Sequence, residues 1–117
     1  MDENTVKRIL PHNDKAEQGI IGSMLVNRDA ISDVMDMLTG DEFYNKQYGI
    51  LFDNMVELYS EGASVDTVTL NERLKRKAIP DEVANTDTLA RLVMETPIYA
   101  PVKDYAHIVK DKATLRQ

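Results

Sequence analysis

The chain has 117 residues, 43% of them hydrophobic and 29% charged, with a formal net charge of −6 and no cysteine. That length suits one compact domain, since folding at this size removes about two-thirds of the unfolded chain's surface from water, and the composition is neither disordered nor fibrous. No apolar run exceeds three residues, too short to span a membrane, and the negative charge argues against a domain built to grip phosphates.

The N-terminal stretch MDENTVKRILPHN carries no signal-peptide pattern. Together with the absence of cysteine this points to the cytoplasm and to no disulfide or thiolate chemistry. Residues 1–9 hold no motif and are expected to be flexible. Pro11 and Asn13 mark the turn into a first helix, in which Ala16, Ile20, Ile21, Met24 and Leu25 share one half of the helical wheel. Asp14 with Glu17 three residues on fits a capping box, Asn13 serves equally as the cap, and Glu17 is expected to satisfy amides at this helix start. Gly19 and Gly22 each cost roughly 1 kcal/mol relative to alanine inside a helix. With Ser23 they form a strip without bulk, which a neighbour within the domain or from another subunit can approach at backbone distance.

Asn27 caps a second helix carrying Ile31, Val34, Met35 and Leu38, with Gly40 just beyond its end. Phe43 and Tyr44 follow in a short connector, where they are expected to plug the core. A third helix runs from near Asn45 through Tyr48, Leu51, Phe52, Met55, Leu58 and Tyr59 to Gly62, and as the longest it is expected to be central. Asp66 is the cap of a fourth, with Val65 and Leu70 as a hydrophobic staple and Pro80 closing it. The basic run Arg73 to Lys77 reads as a solvated last turn that complements the helix dipole, with a phosphate-contacting patch as the alternative.

A short fifth helix, TLARLVME, must stop before Thr96-Pro97. The last helix starts at Pro101. Val102, Ala106, Val109 and Ala113 make one apolar stripe and Tyr105, Ile108 and Leu115 a second, which gives either two contact surfaces or one broad face. No stop signal precedes Gln117, so the helix is expected to belong to something longer. The expectation is an all-α bundle of five to six helices with Ile20, Met24, Leu51, Phe52, Met55, Leu70, Leu74 and Val109 in its core.

Catalytic signatures are not found. The sequence contains no G-x-x-x-x-G-K-[ST] phosphate cradle, and its two histidines, His12 and His107, have no cysteine beside them. Asp41-Glu42 and Asp81-Glu82 sit in polar connectors without a group to tune them. The aromatics are not interleaved with basic residues as base-stacking requires. By elimination, the chemistry is contact with other proteins.

Several stretches taken together carry a family resemblance: LPHNDKAEQGIIGSML, DEFYNKQYGILFDNMVELYSEGASVDTVTLNERL and TPIYAPVKDYAHIVKDKATLRQ. In order and spacing, Ala16-Glu17-Gln18 with Gly22, Phe43-Tyr44, Ile50 to Phe52, Gly62 with Asp66, Thr69 and Leu70, Thr96-Pro97, and Tyr105-Ala106 with Ile108-Val109 resemble the N-terminal domain of the bacterial replicative DNA helicase, the DnaB family. The sequence departs from that family at Tyr48, where histidine is usual, and at Ala84 to Thr88, where a Gly-Gly and an aromatic are usual.

The resemblance implies a non-catalytic domain of a hexameric ring helicase, with ATP and Mg used by a separate C-terminal motor domain and DNA engaged only through the full ring. It implies a collar of paired N-terminal domains that receives the C-terminal domain of primase and, in some bacteria, a loader. Residues 10–100 then form a globular head and 101–117 the start of a helical hairpin. Val102, Ala106 and Val109 face the head, while Ile108 and Leu115 face the hairpin partner. Gly19, Gly22, Ser23, Ile108 and Leu115 are the candidates for packing or assembly, and Lys15, Thr88 and Lys112 for docking a partner. Asp14, Glu17 and Asp66 are the caps. Two other readings remain: a nucleic-acid-binding helical domain using Arg73 to Lys77 and the last helix's lysines, and the helicase-interacting domain of primase, against which the A-E-Q and D-x-x-T-L segments argue.

Overall fold

The computed structural model describes residues 9–117, so the expectation for residues 1–9 lies, except for Ile9, outside the described span. Six α-helices and one 3₁₀ turn follow in order: α1 Asp14–Val26, α2 Arg28–Val34, the turn Gly40–Glu42, α3 Lys46–Ser60, α4 Thr67–Arg76, α5 Thr86–Glu95 and α6 Val102–Leu115. There is no strand among the described residues. The eight residues expected in the core are all buried.

The centre of the fold is α1, and not α3 as its length suggested. It packs against α2, α3, α5 and α6, and from Ala16 to Leu25 only Gln18 escapes burial. A helix enclosed on all sides cannot keep a polar face. The strip of Gly19, Gly22 and Ser23 is the half of α1 that would otherwise have been polar.

Capping explains most of the boundaries. Asn13 is the N-cap of α1, its Oδ1 accepting from Ala16 N at 2.9 Å, so Asp14 is the first helical residue and not the cap. Asn27 ends α1 and caps α2. The second helix stops at Val34, four residues short of the expected end, yet Leu38 still reaches the core through a tight turn. The reason lies at Gly40, which opens the 3₁₀ turn and presses backbone to backbone on Gly49 of α3. A continuous helix would carry Gly40 past that contact, and Asp53 Oδ1 accepts from Gly40 N at 2.9 Å to hold it.

Asp66 caps α4 as expected, in a reciprocal box with Thr69. At the end of α3, Gly62 adopts φ +78° while Gly62 N bonds Tyr59 O and Ala63 N bonds Leu58 O, the paired closure that favours glycine. The end of α4 repeats this pattern with Ala78 at φ +58°, so that helix closes before Pro80. The fifth helix ends at Thr96, whose extended backbone is what Pro97 demands of the residue before it.

The last turn of α6 is anchored. Arg116 donates from Nη1 to Pro11 O at 2.9 Å and from Nη2 to Glu42 O at 2.7 Å, and Lys110 Nζ meets Glu42 Oε2 at 2.6 Å. Phe43 fills the core, 5.1 Å between ring centroids from Phe52. Tyr44 does not: it lies outside, stacked on His12 at 3.8 Å with the Arg116 guanidinium 5.6 Å from its ring centroid.

Candidate interaction surface

The glycine strip is closed within the chain. A Cβ on Gly19 would come within 2.7 Å of Tyr105 Cδ2, and one on Gly22 within 2.7 Å of Thr96 Cβ and 2.9 Å of the Leu92 carbonyl oxygen. The neighbours are therefore α6 and the end of α5, which close on the strip from within the chain. Ser23 is buried with it.

Glu17 is 1% exposed and does satisfy backbone amides, but not those of its own helix. Its Oε2 accepts from Tyr44 N at 2.8 Å and its Oε1 from Asn45 N at 3.0 Å, so the carboxylate fastens α1 to the entry of α3. Two charge-assisted bonds are what a buried carboxylate requires. Beside it, burial first and then the Asp14, Glu17 and Glu95 carboxylates push the Tyr48 phenol above its ordinary value, which keeps it neutral.

The basic run is largely engaged. Arg73 is buried, with Nη2 2.6 Å from Glu61 Oε1 and Nη1 2.5 Å from Glu57 Oε1, and Lys77 Nζ lies 2.9 Å from Glu57 Oε2. Hydrogen bonds from Lys77 and then Arg73 hold Glu57 below the usual carboxylate range, and the bond from Arg73 does the same for Glu61. Arg73 is thus an internal cross-link between α3 and α4 and not a solvated residue.

Of the other expected contact residues, Ile108 is partly buried against the core, whereas Leu115 is 66% exposed. Thr88 belongs to the cap of α5, its N–H and hydroxyl both on Asn85 Oδ1. Lys112 is half-buried on α6 and Lys15 is exposed on α1. Lys15 alone of the three lines a cleft of about 330 Å³, with Gln18, Gly19, Glu95, Thr96, Pro97 and Tyr105. Gln18 Nε2 donates to Glu95 Oε1 at 2.8 Å across it.

The end of α5 and the loop after Pro97 carry what sequence reasoning missed. Met94, Ile98 and Tyr99 are 84%, 86% and 93% exposed, the most exposed large apolar side chains among the described residues. Pro97 and Pro101 bracket the loop, so Ile98 and Tyr99 cannot join either helix and have no inward face to turn. Their apolar character without a helical period was the available signal. No group of three or more His, Asp or Glu residues suited to a metal occurs among the described residues.

The family model for the DnaB-like helicase N-terminal domain matches residues 9–111. The chain belongs to this family. It is 32% identical over 116 residues to the replicative DNA helicase DnaB of Leifsonia xyli subsp. xyli, covering 99% of this chain and 25% of that protein. To the replicative DNA helicase DnaB of Pasteurella multocida it is 34% identical over 106 residues, covering 91% of this chain and 23% of that one. The crystal structure of the N-terminal domain of DnaB helicase from Mycobacterium tuberculosis superposes with a TM-score of 0.87 at 33% identity, covering 92% of this chain and 75% of that one. The chain thus spans about a quarter of the length of these curated relatives. What matches is the non-catalytic N-terminal domain of DnaB, and the chain by itself is not an enzyme. No helix among the described residues is long and apolar enough to cross a membrane.

Proposed function

We propose that this domain is the assembly and docking module of a hexameric replicative helicase, acting in the cytoplasm. It pairs with copies of itself in a collar and receives the C-terminal domain of primase, and in some bacteria a loader protein. ATP, Mg and DNA belong to a motor domain outside this chain. The observation that supports this reading most is the bare apolar loop of Ile98 and Tyr99, which follows directly on the residues of an open cleft. Lys15, in that cleft, and Lys112 are cations that a docked partner can engage, and Leu115 is the seat for a returning hairpin helix.

A nucleic-acid-binding role is disfavoured because two cations of the basic run are already engaged, Arg73 by Glu57 and Glu61 and Lys77 by Glu57. The test is calorimetric titration of primase's C-terminal domain into this chain and into a version extended beyond Gln117. Saturable binding that is tighter for the longer protein is expected. No heat with either protein would refute the docking role.

A further inference from the structure

We infer that Arg116 is a clasp: closed, it locks the last turn of α6 to the head, and open, it releases that turn together with the strap formed by residues 10–12. Apolar packing does not hold this end of the helix. The buried side chains of α6 are Val102, Ala106, Val109 and Ala113, so its inner face ends on an alanine. Leu115 beyond it is 66% exposed, and a helical turn with nothing packed behind it is marginal in water.

What holds the turn is one side chain set between two distant segments. The guanidinium donates from Nη1 to Pro11 O, 105 positions away, and from Nη2 to Glu42 O, 74 positions away. Both acceptors are main-chain oxygens, so the contact fixes backbone with no second side chain to rotate aside. A planar guanidinium spans two such oxygens from one rigid fork, which a lysine ammonium on its flexible stem does not reproduce. Behind the fork stands the Tyr44 ring, its centroid 5.6 Å from the guanidinium carbon and within cation–π range. Tyr44 stacks in turn on His12, whose Nδ1 lies 2.7 Å from Leu10 O. The strap, the connector before α3 and the end of α6 therefore meet in one junction, and folded chains open locally in cooperative units of this kind. Lys110 keeps its own bond to Glu42 Oε2 and marks where the opening stops. Closed, the clasp gives Leu115 a fixed direction on the surface, whichever partner meets it.

Backbone NMR of the chain tests this, reading helicity from Cα shifts and order from amide relaxation, in Arg116→Ala, Arg116→Lys, Tyr44→Leu and the control Leu115→Ala. Both Arg116 variants should lose helical shifts beyond Lys110 and free the Leu10 and His12 amides in the same sample, with α1 unchanged. Alanine is the stronger helix former, so propensity cannot explain fraying in Arg116→Ala. Tyr44→Leu should give part of the same loss, and Leu115→Ala none. Helical shifts that persist to Leu115 in Arg116→Ala would overturn the clasp. A lysine that restores both segments would overturn the fork, leaving charge alone as the cause. A last turn that frays while Leu10 and His12 stay ordered would overturn the shared junction, and loss of the α1 shifts along with the rest would show that the opening is not local.

Discussion

Gly49→Ala tests the closest approach in the fold. Gly49 lies in the buried interior of α3, where alanine alone would add roughly 1 kcal/mol of helix propensity. A Cβ there would sit 3.0 Å from the Gly40 carbonyl carbon and closer still to its oxygen, where carbon atoms prefer about 3.5–4.0 Å. The obstacle is backbone, so no rotamer change relieves it, and the 3₁₀ turn must retreat by about half an ångström or more. Overpacking of this kind costs about 1–3 kcal/mol, and displacing Gly40 also loosens its bond to Asp53, worth about 1 kcal/mol. Set against the propensity gain, the net loss is about 1–3 kcal/mol, or a fall in Tm of about 4–12 °C for a chain of this size. Thermal and urea unfolding followed by helical circular dichroism measure it. A midpoint equal to or above the parent's would mean that the turn moves freely, and the argument for why α2 stops at Val34 would fail with it.

Ala78→Gly should act in the opposite direction. Ala78 holds φ +58°, which costs a residue with a Cβ about 1 kcal/mol or more, so glycine should raise Tm by about 4 °C; a lowered Tm would remove the strain. Glu17→Gln keeps the shape but turns one acceptor into a donor facing backbone N–H, and should cost about 1–3 kcal/mol; a urea midpoint equal to the parent's would show that the tie to Tyr44 and Asn45 contributes nothing. Arg73→Met should narrow the pH dependence of stability. Glu57 and Glu61 are held below their ordinary value of 4.5, so their contribution is complete above that pH and disappears as pH falls through the lowered folded values. Urea midpoints from pH 7 to pH 3 should therefore converge for parent and variant, and a constant gap would show that packing of the arginine stem, not charge, is what the substitution removes.

The sequence by itself determined the helices and nearly all of the core, because both follow from local rules. Apolar spacing, capping residues and the placement of Pro97 and Pro101 act within a few positions, and Asn27, Asp66 and Gly62 each stop or start a helix through bonds to their immediate neighbours. The family was legible in the same way, from the order of short motifs. The burial of α1 on every side, the partner of Gly49 and the target of Glu17 were decided only by tertiary structure, since each depends on residues between 9 and 86 positions away. Tyr44 and Arg73 show the limit of reading single residues: an aromatic expected inside is held outside by His12 and Arg116, and a cation expected outside is held inside by two carboxylates. The candidate surface was hidden for the same reason. Ile98 and Tyr99 are apolar in the sequence whether buried or not, and only the packing of α5 and α6 on α1 leaves the loop between two prolines with nothing to bury them.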